Sequence, residues 1–495
     1  MYQIGFDSEK YLKMQSDYIN ERTKKFGQKL YLEFGGKLFD DLHASRVLPG
    51  FEMDSKVRML STLKDQAEII LVINSSDIES NKIRGDIGIT YDSEVLRLID
   101  GFRERGLYVG SVVITQYNNQ PSTENFKAYL EDLKIKVYKH YYIPEYPTNI
   151  SYILSPNGFG KNDYIVTTKP LVVVTAPGPG GGKMATCLSQ LYHENLRGVK
   201  AGYAKFETFP VWNLPLNHPV NIAYEAATVD LNDVNMIDPF HLEAYGKTAT
   251  NYNRDIEVFP ILNEIFIKVW GETPYKSPTD MGVNMAGNCI IDDKVCADAS
   301  RQEIIRRYYR TQCDMKIGRA EKSQLLKLEL LMNHAKISAN DRPVIEHALD
   351  KSISSNSPSV AIELPNGTIV TGKSSSLLSA SAAAILNTLK TLAKIEDKVY
   401  LISPFVIEPI QKLKKDYLRN NNIHIYADEV LIALSICAAT NPLVTVVLEQ
   451  LPNLRNCEVH STVILSQDDA NVFKKLGMNV TSEPKYASDN LYHVK

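Results

Sequence analysis

Short apolar runs recur between helical patterns from about residue 28 onward, and this alternation constrains the fold more than any other feature of the chain. The runs are KLYLEF, AEIILVIN, GLYVGSVVITQY, KIKVYKHYYI and PLVVVTA. Between them, SEVLRLIDGFRERG and ENFKAYLEDLKI carry apolar residues at three- and four-residue spacing, as amphipathic helices do. Strands alternating with helices predict an α/β protein with a large doubly wound, mostly parallel sheet. In such sheets ligands sit beyond the carboxyl ends of the strands, where the strand order reverses. The loops that follow strands are therefore the first places to look for function.

With 495 residues, a typical domain of about 150 residues suggests roughly three units. Residues 1–300 read as an N-terminal α/β domain of Rossmann or P-loop type. Residues 301–355 lack a strand signal and carry dense charge on long apolar-periodic stretches, which predicts a helical connector. Residues 356–495 read as a smaller C-terminal α/β subdomain. It opens on PSVAIELPNGTIVTGK, whose Asn366-Gly367 step between alternating segments signals a hairpin. It continues through SLLSASAAAILNTLKTLA, KVYLIS, NIHIYA and CEVHSTVILS.

The charge balance, 55 Lys+Arg against 58 Asp+Glu, gives no broad basic field and argues against a nucleic-acid partner. The N-terminal MYQIGFDSEKYLKMQSDYINERTKKFG places charges where a signal peptide needs an apolar core, and no window approaches about 18 uninterrupted apolar residues. A cytoplasmic protein without a membrane partner is expected. Six cysteines, at 187, 289, 296, 313, 437 and 457, form no CxxC pair, so reduced thiols and no zinc are expected.

The strongest chemical signal is VVVTAPGPGGGKMATC, residues 172–187. A phosphate cradle needs successive backbone N–H groups pointing into one concavity, next to residues without Cβ. Gly178, Gly180, Gly181, Gly182 and Lys183, ahead of a helix start, supply amides, a point charge and the positive helix end. A methyl at Gly181 is expected to obstruct an approaching anion. Against the GxxxxGK[ST] pattern, Pro177 replaces the first glycine and Met184 the magnesium-binding hydroxyl. Thr186 lies about 200° round the helix from position 184 and does not replace it. ATP with magnesium is the candidate cofactor pair, with acidic residues holding the metal. Asp230 and Asp233 are the candidate cation ligands, and together with Lys183 the candidate catalytic residues. Cys187, near the helix start, offers thiol chemistry as a further option, a structural buried cysteine being the alternative.

Candidate substrate-binding residues lie in two further stretches. EFGGKLFDDLHASRVLPGF contributes Gly35, Gly36, Lys37 and Arg46 directly after an apolar run. The long aromatic and prolyl segment after the main loop contributes Lys205, Glu207, His218 and Arg254, and long structured loops tend to carry function. The HLE at 241–243 has no accompanying CxxC and so does not make a zinc deaminase site.

The strings EFGGKLFDDLHASRVLPGF, VVVTAPGPGGGKMATCLSQLYHE, KFETFPVWNLPLNHPVN and NYNRDIEVFP resemble an uncharacterised bacterial family, domain of unknown function 1846, over nearly the whole chain. The resemblance implies a large N-terminal α/β part, helices, and a C-terminal subdomain of deaminase-like topology. Some members carry a peptidase label, but this chain has neither HExxH nor a serine nucleophile elbow. In the stretch after the hairpin, GKSSSLLSASAAAILNTLK, no His, Cys or Glu stands where zinc deaminases carry ligand and acid. Its small residues suit close helix packing or a subunit interface, and a homo-oligomer is expected.

The residues thus predict a protein that binds a nucleotide or phosphorylated small molecule through residues 177–187. Phosphoryl or nucleotidyl transfer is the favoured chemistry. The alternative is a non-catalytic sensor or scaffold for such a ligand, which Met184 and the lack of a clear base favour.

Overall fold

The computed structural model describes residues 3–27, 29–85, 87–420 and 422–488. Contacts divide the chain into two compact units, residues 4–300 and a second unit that holds 301–495.

In the first unit, six strands form one sheet: β1 (Lys29–Phe34), β2 (Ala67–Asn74), β3 (Tyr108–Tyr117), β4 (Val137–Tyr141), β5 (Leu171–Thr175) and β6 (Ala201–Phe206). Every pairing is parallel and the order is β4-β3-β2-β5-β1-β6. Strands buried on both faces read as unbroken apolar runs, and β5 is buried along its whole length. Helices α1 (Ser8–Phe26), α2 (Ser55–Thr62), α3 (Tyr91–Glu104), α4 (Pro121–Asp132), α5 (Lys183–Leu196) and α6 (Asn253–Trp270) belong to the same unit. The caps are legible: the Asp7 side chain accepts from Lys10 N, and Gly27 ends α1 at φ 85°. A two-stranded ribbon, β7 (Asn235–Ile237) and β8 (Thr250–Tyr252), precedes α6.

The chain leaves β2 toward β3 on one side, whereas it leaves β5 toward β6 on the other. Their connections diverge between two adjacent strands, which makes the carboxyl ends of β2 and β5 the switch point of the sheet.

Residues 301–355 are helical, in Asp293–Lys316, Lys322–Ala335 and α7 (Val344–Ser355), and belong to the second unit. There β9 (Ser359–Glu363), β10 (Ile369–Lys373), β11 (Glu458–Ser461) and β12 (Asn479–Ser482) form a mixed sheet of order β10-β9-β11-β12. The hairpin turns at Asn366-Gly367, with Gly367 at φ 82°. KVYLIS and NIHIYA are not strands; the second makes only one bridge, Ile425 to Leu378. Leu401, Ile402 and Ile425 still fill the core, but the ends of both segments are taken up by helix starts. Ser403 caps Pro404–Lys412, and Tyr426 with Glu429 caps Ala427–Ala438. The small residues of α8 (Ala380–Leu392) are consumed within the unit. A Cβ on Gly372 of β10 would stand 2.1 Å from Ala384 N, so helix and strand touch backbone to backbone. No helix among the described residues is long and apolar enough to cross a membrane.

Candidate functional site

The glycine loop, residues 176–182, runs from the carboxyl end of β5 to Lys183, the first residue of α5, at the switch point. Thr115 Oγ1 at the end of β3 donates to Gly181 O at 2.8 Å, and Asn74 Nδ2 at the end of β2 reaches Gly180 O at 3.4 Å. In a trans peptide the C=O and the following N–H point opposite ways. Two carbonyls anchored on the strand ends therefore turn the Gly181 and Gly182 N–H groups away from the sheet edge. Gly182 is left-handed at φ 89° and no side chain caps α5, so the helix start keeps its positive end.

The glycines divide the work. A Cβ on Gly178 would stand 2.2 Å from Tyr91 Oη, and one on Gly181 2.9 Å from Ala176 Cβ and 3.3 Å from Val72 O. These two allow the loop to pack. The expectation that a methyl at Gly181 meets the anion is corrected, because its Cβ points into the protein. Gly180, at φ 76° with nothing within 4 Å of a Cβ, is the open position. Cys187 is fully buried, and burial, then Glu33, holds its thiol well above the ordinary range. The thiol-chemistry option is thereby overturned.

Two strands along, a charged cluster closes the ends of β1 and β6. Glu33 sits opposite Val174 of β5 and Lys205 of β6 in register, and Tyr203 Oη donates to it at 2.7 Å. Lys205 Nζ meets Asp255 at 2.5 Å, Glu207 at 3.4 Å, and the Tyr252 hydroxyl. Tyr252 Oη in turn donates to Glu207 Oε1 at 3.1 Å. Burial, followed by the like charges of Asp255 and Glu33, raises Glu207 above the usual carboxylate range against the pull of Lys205. For Lys205 burial works the other way, yet its three carboxylate neighbours outweigh it and hold the ammonium above its ordinary value.

Gly35 and Gly36 seat this cluster. A Cβ on Gly35 would stand 2.7 Å from Glu207 Cγ. Gly36, at φ 73°, lies against Lys56 Nζ, which pairs with buried Asp41 at 2.6 Å. Lys37 is exposed just beyond them, and Arg46 lies in the short helix Leu42–Val47 that Asp41 caps.

The remaining candidates are placed differently. Arg254 grips Asp233 with two contacts, Nε to Oδ1 at 2.6 Å and Nη2 to Oδ2 at 2.8 Å. The Asp233 carboxylate is nearly inaccessible, and only its Oδ2 accepts a hydrogen bond from the guanidinium; Oδ1 is buried at ion-pair distance without one. Asp230 is exposed on the turn Val229–Leu231. His218 Nδ1 accepts from Val220 N at 3.2 Å at the start of Pro219–Ala227, and its Nε2 lies 3.1 Å from Asp293 Oδ1. Among the described residues no three His, Cys, Asp or Glu side chains gather into a metal-holding group.

Sequence reasoning missed Glu33, Tyr252 and Asp255 as members of the site. A charge inside the apolar run KLYLEF was the available signal for Glu33. Nothing local marks Tyr252 or Asp255, whose role comes from the ribbon bringing the start of α6 to the end of β6.

A six-stranded parallel sheet carrying a glycine loop at its switch point, with a Lys–Glu–Tyr–Asp cluster at the ends of β1 and β6, defines a doubly wound α/β protein. The family is shown by sequence: the models described as "Domain of unknown function DUF1846, N-terminal" and "Domain of unknown function DUF1846, C-terminal" match residues 4–336 and 340–492, and the chain belongs to this uncharacterised family. A UPF0371 protein of Streptococcus pyogenes serotype M5 (strain Manfredo) is 56% identical over 492 residues, covering 99% of this chain and 100% of the relative. A UPF0371 protein of Streptococcus uberis is 55% identical over the same length.

Proposed function

We propose that the chain binds a phosphate-bearing small molecule at the glycine loop, with the phosphate against the amides of Gly180 to Lys183 and the Lys183 ammonium. The single observation that carries the reading is the anchoring of the Gly180 and Gly181 carbonyls by Asn74 and Thr115, which turns the neighbouring amides outward at an uncapped helix start. Phosphoryl or nucleotidyl transfer is the chemistry this arrangement suits, with Lys183 stabilising phosphate charge. A non-catalytic sensor is the second reading, favoured by the commitment of Asp233 to Arg254 and by Met184 at the hydroxyl position. The second unit, by this reading, carries a deaminase-like layout without its metal chemistry. A hairpin followed by a helix whose first turn is Ala380, Ser381, Ala382 and Ala383 supports that.

The test is a thermal-shift panel of nucleotides and phosphorylated metabolites, with and without magnesium, because a ligand that binds the native state raises its stability. Stabilisation by phosphorylated compounds that Lys183→Met abolishes is the expected result. A panel without any phosphate-dependent shift would reject the reading.

A further inference from the structure

We infer that the first unit holds a site separate from the glycine loop, a cleft of about 220 Å³ that takes a small aromatic carboxylate, with the carboxylate received by buried Arg22. Tyr18, Arg22 and Lys25 reach the cleft from α1 at spacings of four and three residues, which put them on one helix face. Trp212, from the loop after β6, and His241 and Tyr245, from the short helix Pro239–Tyr245, line it as well. None of the lining residues belongs to the glycine loop or to the Glu207 cluster, so this inference holds or fails independently of the phosphate reading.

The observation that carries it is the state of Arg22. This residue is only 7% exposed, yet among the described residues no carboxylate stands within ion-pair distance of it. The three other buried arginines, Arg84, Arg306 and Arg342, each pair with a glutamate. A buried charge without a counter-charge is costly. Arg22 Nη1 donates to Asp280 O at 2.8 Å and Nη2 to the Tyr18 hydroxyl at 3.0 Å, and the Tyr18 and Tyr275 rings lie 5.4 Å from Cζ, within cation–π range. These contacts hold the guanidinium in place and occupy two of its five N–H groups, but they bring it no anion. A carboxylate from solution, which a guanidinium binds through two parallel hydrogen bonds, supplies what the protein does not.

Charge and shape select the ligand. The Arg, Lys and Asp side chains of the lining are Arg22, Lys25 and Asp280, two cations against one carboxylate, so a single negative charge neutralises the cleft and a dianionic phosphate overshoots. Asp280 is held in place, its Oδ2 accepting from Tyr245 Oη at 2.8 Å and from Lys276 N at 3.0 Å. Rings make up much of the remaining wall. The His241 ring lies 4.7 Å from Tyr245 and 6.3 Å from Trp212, and Trp212 Nε1 is fixed by donating to Asn284 O at 3.0 Å. Aromatic faces held in this way pack against another planar ring. A cavity of roughly 150 Å³ holds benzene, and the larger volume here, about 220 Å³, leaves room for a ring and its carboxyl group together.

The experiment is titration calorimetry on the full chain with benzoate, phenylacetate, acetate, benzamide and phenyl phosphate. Benzoate and phenylacetate are expected to bind about tenfold tighter than acetate, which lacks the ring, and than benzamide, which lacks the charge. Arg22→Gln should weaken both about tenfold to a hundredfold, the worth of a hydrogen bond to a charged group. Should that variant fail to fold, Lys25→Gln repeats the test at an exposed position, with an expected loss of about two- to fivefold. Failure of benzoate and phenylacetate to bind at millimolar concentration would overturn the inference, as would benzoate binding no tighter than benzamide or acetate. Phenyl phosphate binding tighter than benzoate would overturn it too and make the cleft a phosphate site. An Arg22→Gln protein that folds and binds benzoate like the wild type would remove the guanidinium from the site and the inference with it.

Discussion

Gly35 and Glu207 occupy one space at the ends of two adjacent strands: Gly35 N donates to Phe206 O at 2.8 Å, and a Cβ on Gly35 would stand 2.7 Å from Glu207 Cγ and 2.9 Å from its Oε1. Substituting Gly35→Ala therefore displaces the carboxyl from Lys205 and Tyr252. We expect a loss of about 1–3 kcal/mol in stability, as for other overpacked sites. Urea unfolding checks it. An alanine variant with unchanged stability would mean that Glu207 needs no such seat.

The two neighbouring glycines of the cradle should respond in opposite ways. Gly181→Ala pushes a methyl onto Ala176 Cβ and Val72 O, so it should cost about 1–3 kcal/mol of stability. Gly180→Ala meets nothing within 4 Å, but its φ of 76° is left-handed, a strain of roughly 1–2 kcal/mol. Its methyl stands on the open side, so Gly180→Ala should show the larger fall in phosphate affinity. The comparison of melting temperature with phosphate affinity for the pair decides it, and a greater affinity loss in Gly181→Ala would reverse the assignment of faces.

The large sheet was legible because strands buried on both faces must be apolar throughout, so AEIILVIN and PLVVVTA announce themselves. KVYLIS and NIHIYA carry the same signal and are not strands. Apolar composition reports burial, and burial of Leu401 or Ile425 does not require a ladder partner. The site was half legible. Gly180 and Lys183 follow from local spacing, whereas the seat of Glu207 depends on register between β1 and β6. The fork of Arg254 on Asp233, 21 residues apart, depends on how the intervening ribbon folds back. Neither is written in a window of sequence short enough to show a period.

The raised proton affinity of Glu207 fixes the sign of a pH effect. Burial first, then Asp255 and Glu33, make the folded state hold the proton more tightly than the unfolded chain does. Its contribution to stability is present below the ordinary glutamate pKa of about 4.3 and is lost as pH rises through the folded value. Glu207→Gln removes that loss. The variant should gain on the wild type between pH 4 and pH 7 in urea midpoint, and a wild type that gains on the variant over this range would show the carboxylate to be stabilised as an anion.

Burial makes Cys187 inert. Its thiol lies under the first turns of α5, raised first by burial and then by Glu33, so little thiolate exists at neutral pH. Iodoacetamide at pH 7.5 should leave Cys187 unmodified in the native protein and modify it fully in urea. Peptide mass mapping reads the result. Cys313, the one cysteine that is not buried, has its own thiol pushed up to about 12 by burial first and then Asp314, and should react more slowly in the native protein than in urea.

The Asp233–Arg254 pair makes the sharpest statement about metals. Asp233 has 1% of its side-chain surface exposed and is ion-paired to a guanidinium that is itself half exposed, with one hydrogen bond, Arg254 Nη2 to Oδ2 at 2.8 Å. Arg254→Met leaves that carboxylate buried without its partner. Fully buried pairs cost about 3–5 kcal/mol when broken, and the exposure of Arg254 brings the expected loss down to roughly 1–3 kcal/mol. Asp233→Asn removes the charge and should cost less. The double variant should be more stable than the sum of the two single losses, since the residues act as one unit. If Asp233 instead held a cation in the working protein, magnesium would have to displace Arg254. The wild type would then melt higher with magnesium plus a phosphate compound than with that compound alone, and Asp233→Asn would lose the increment. We expect no increment that depends on Asp233, and its appearance would restore the carboxylate to the cation site.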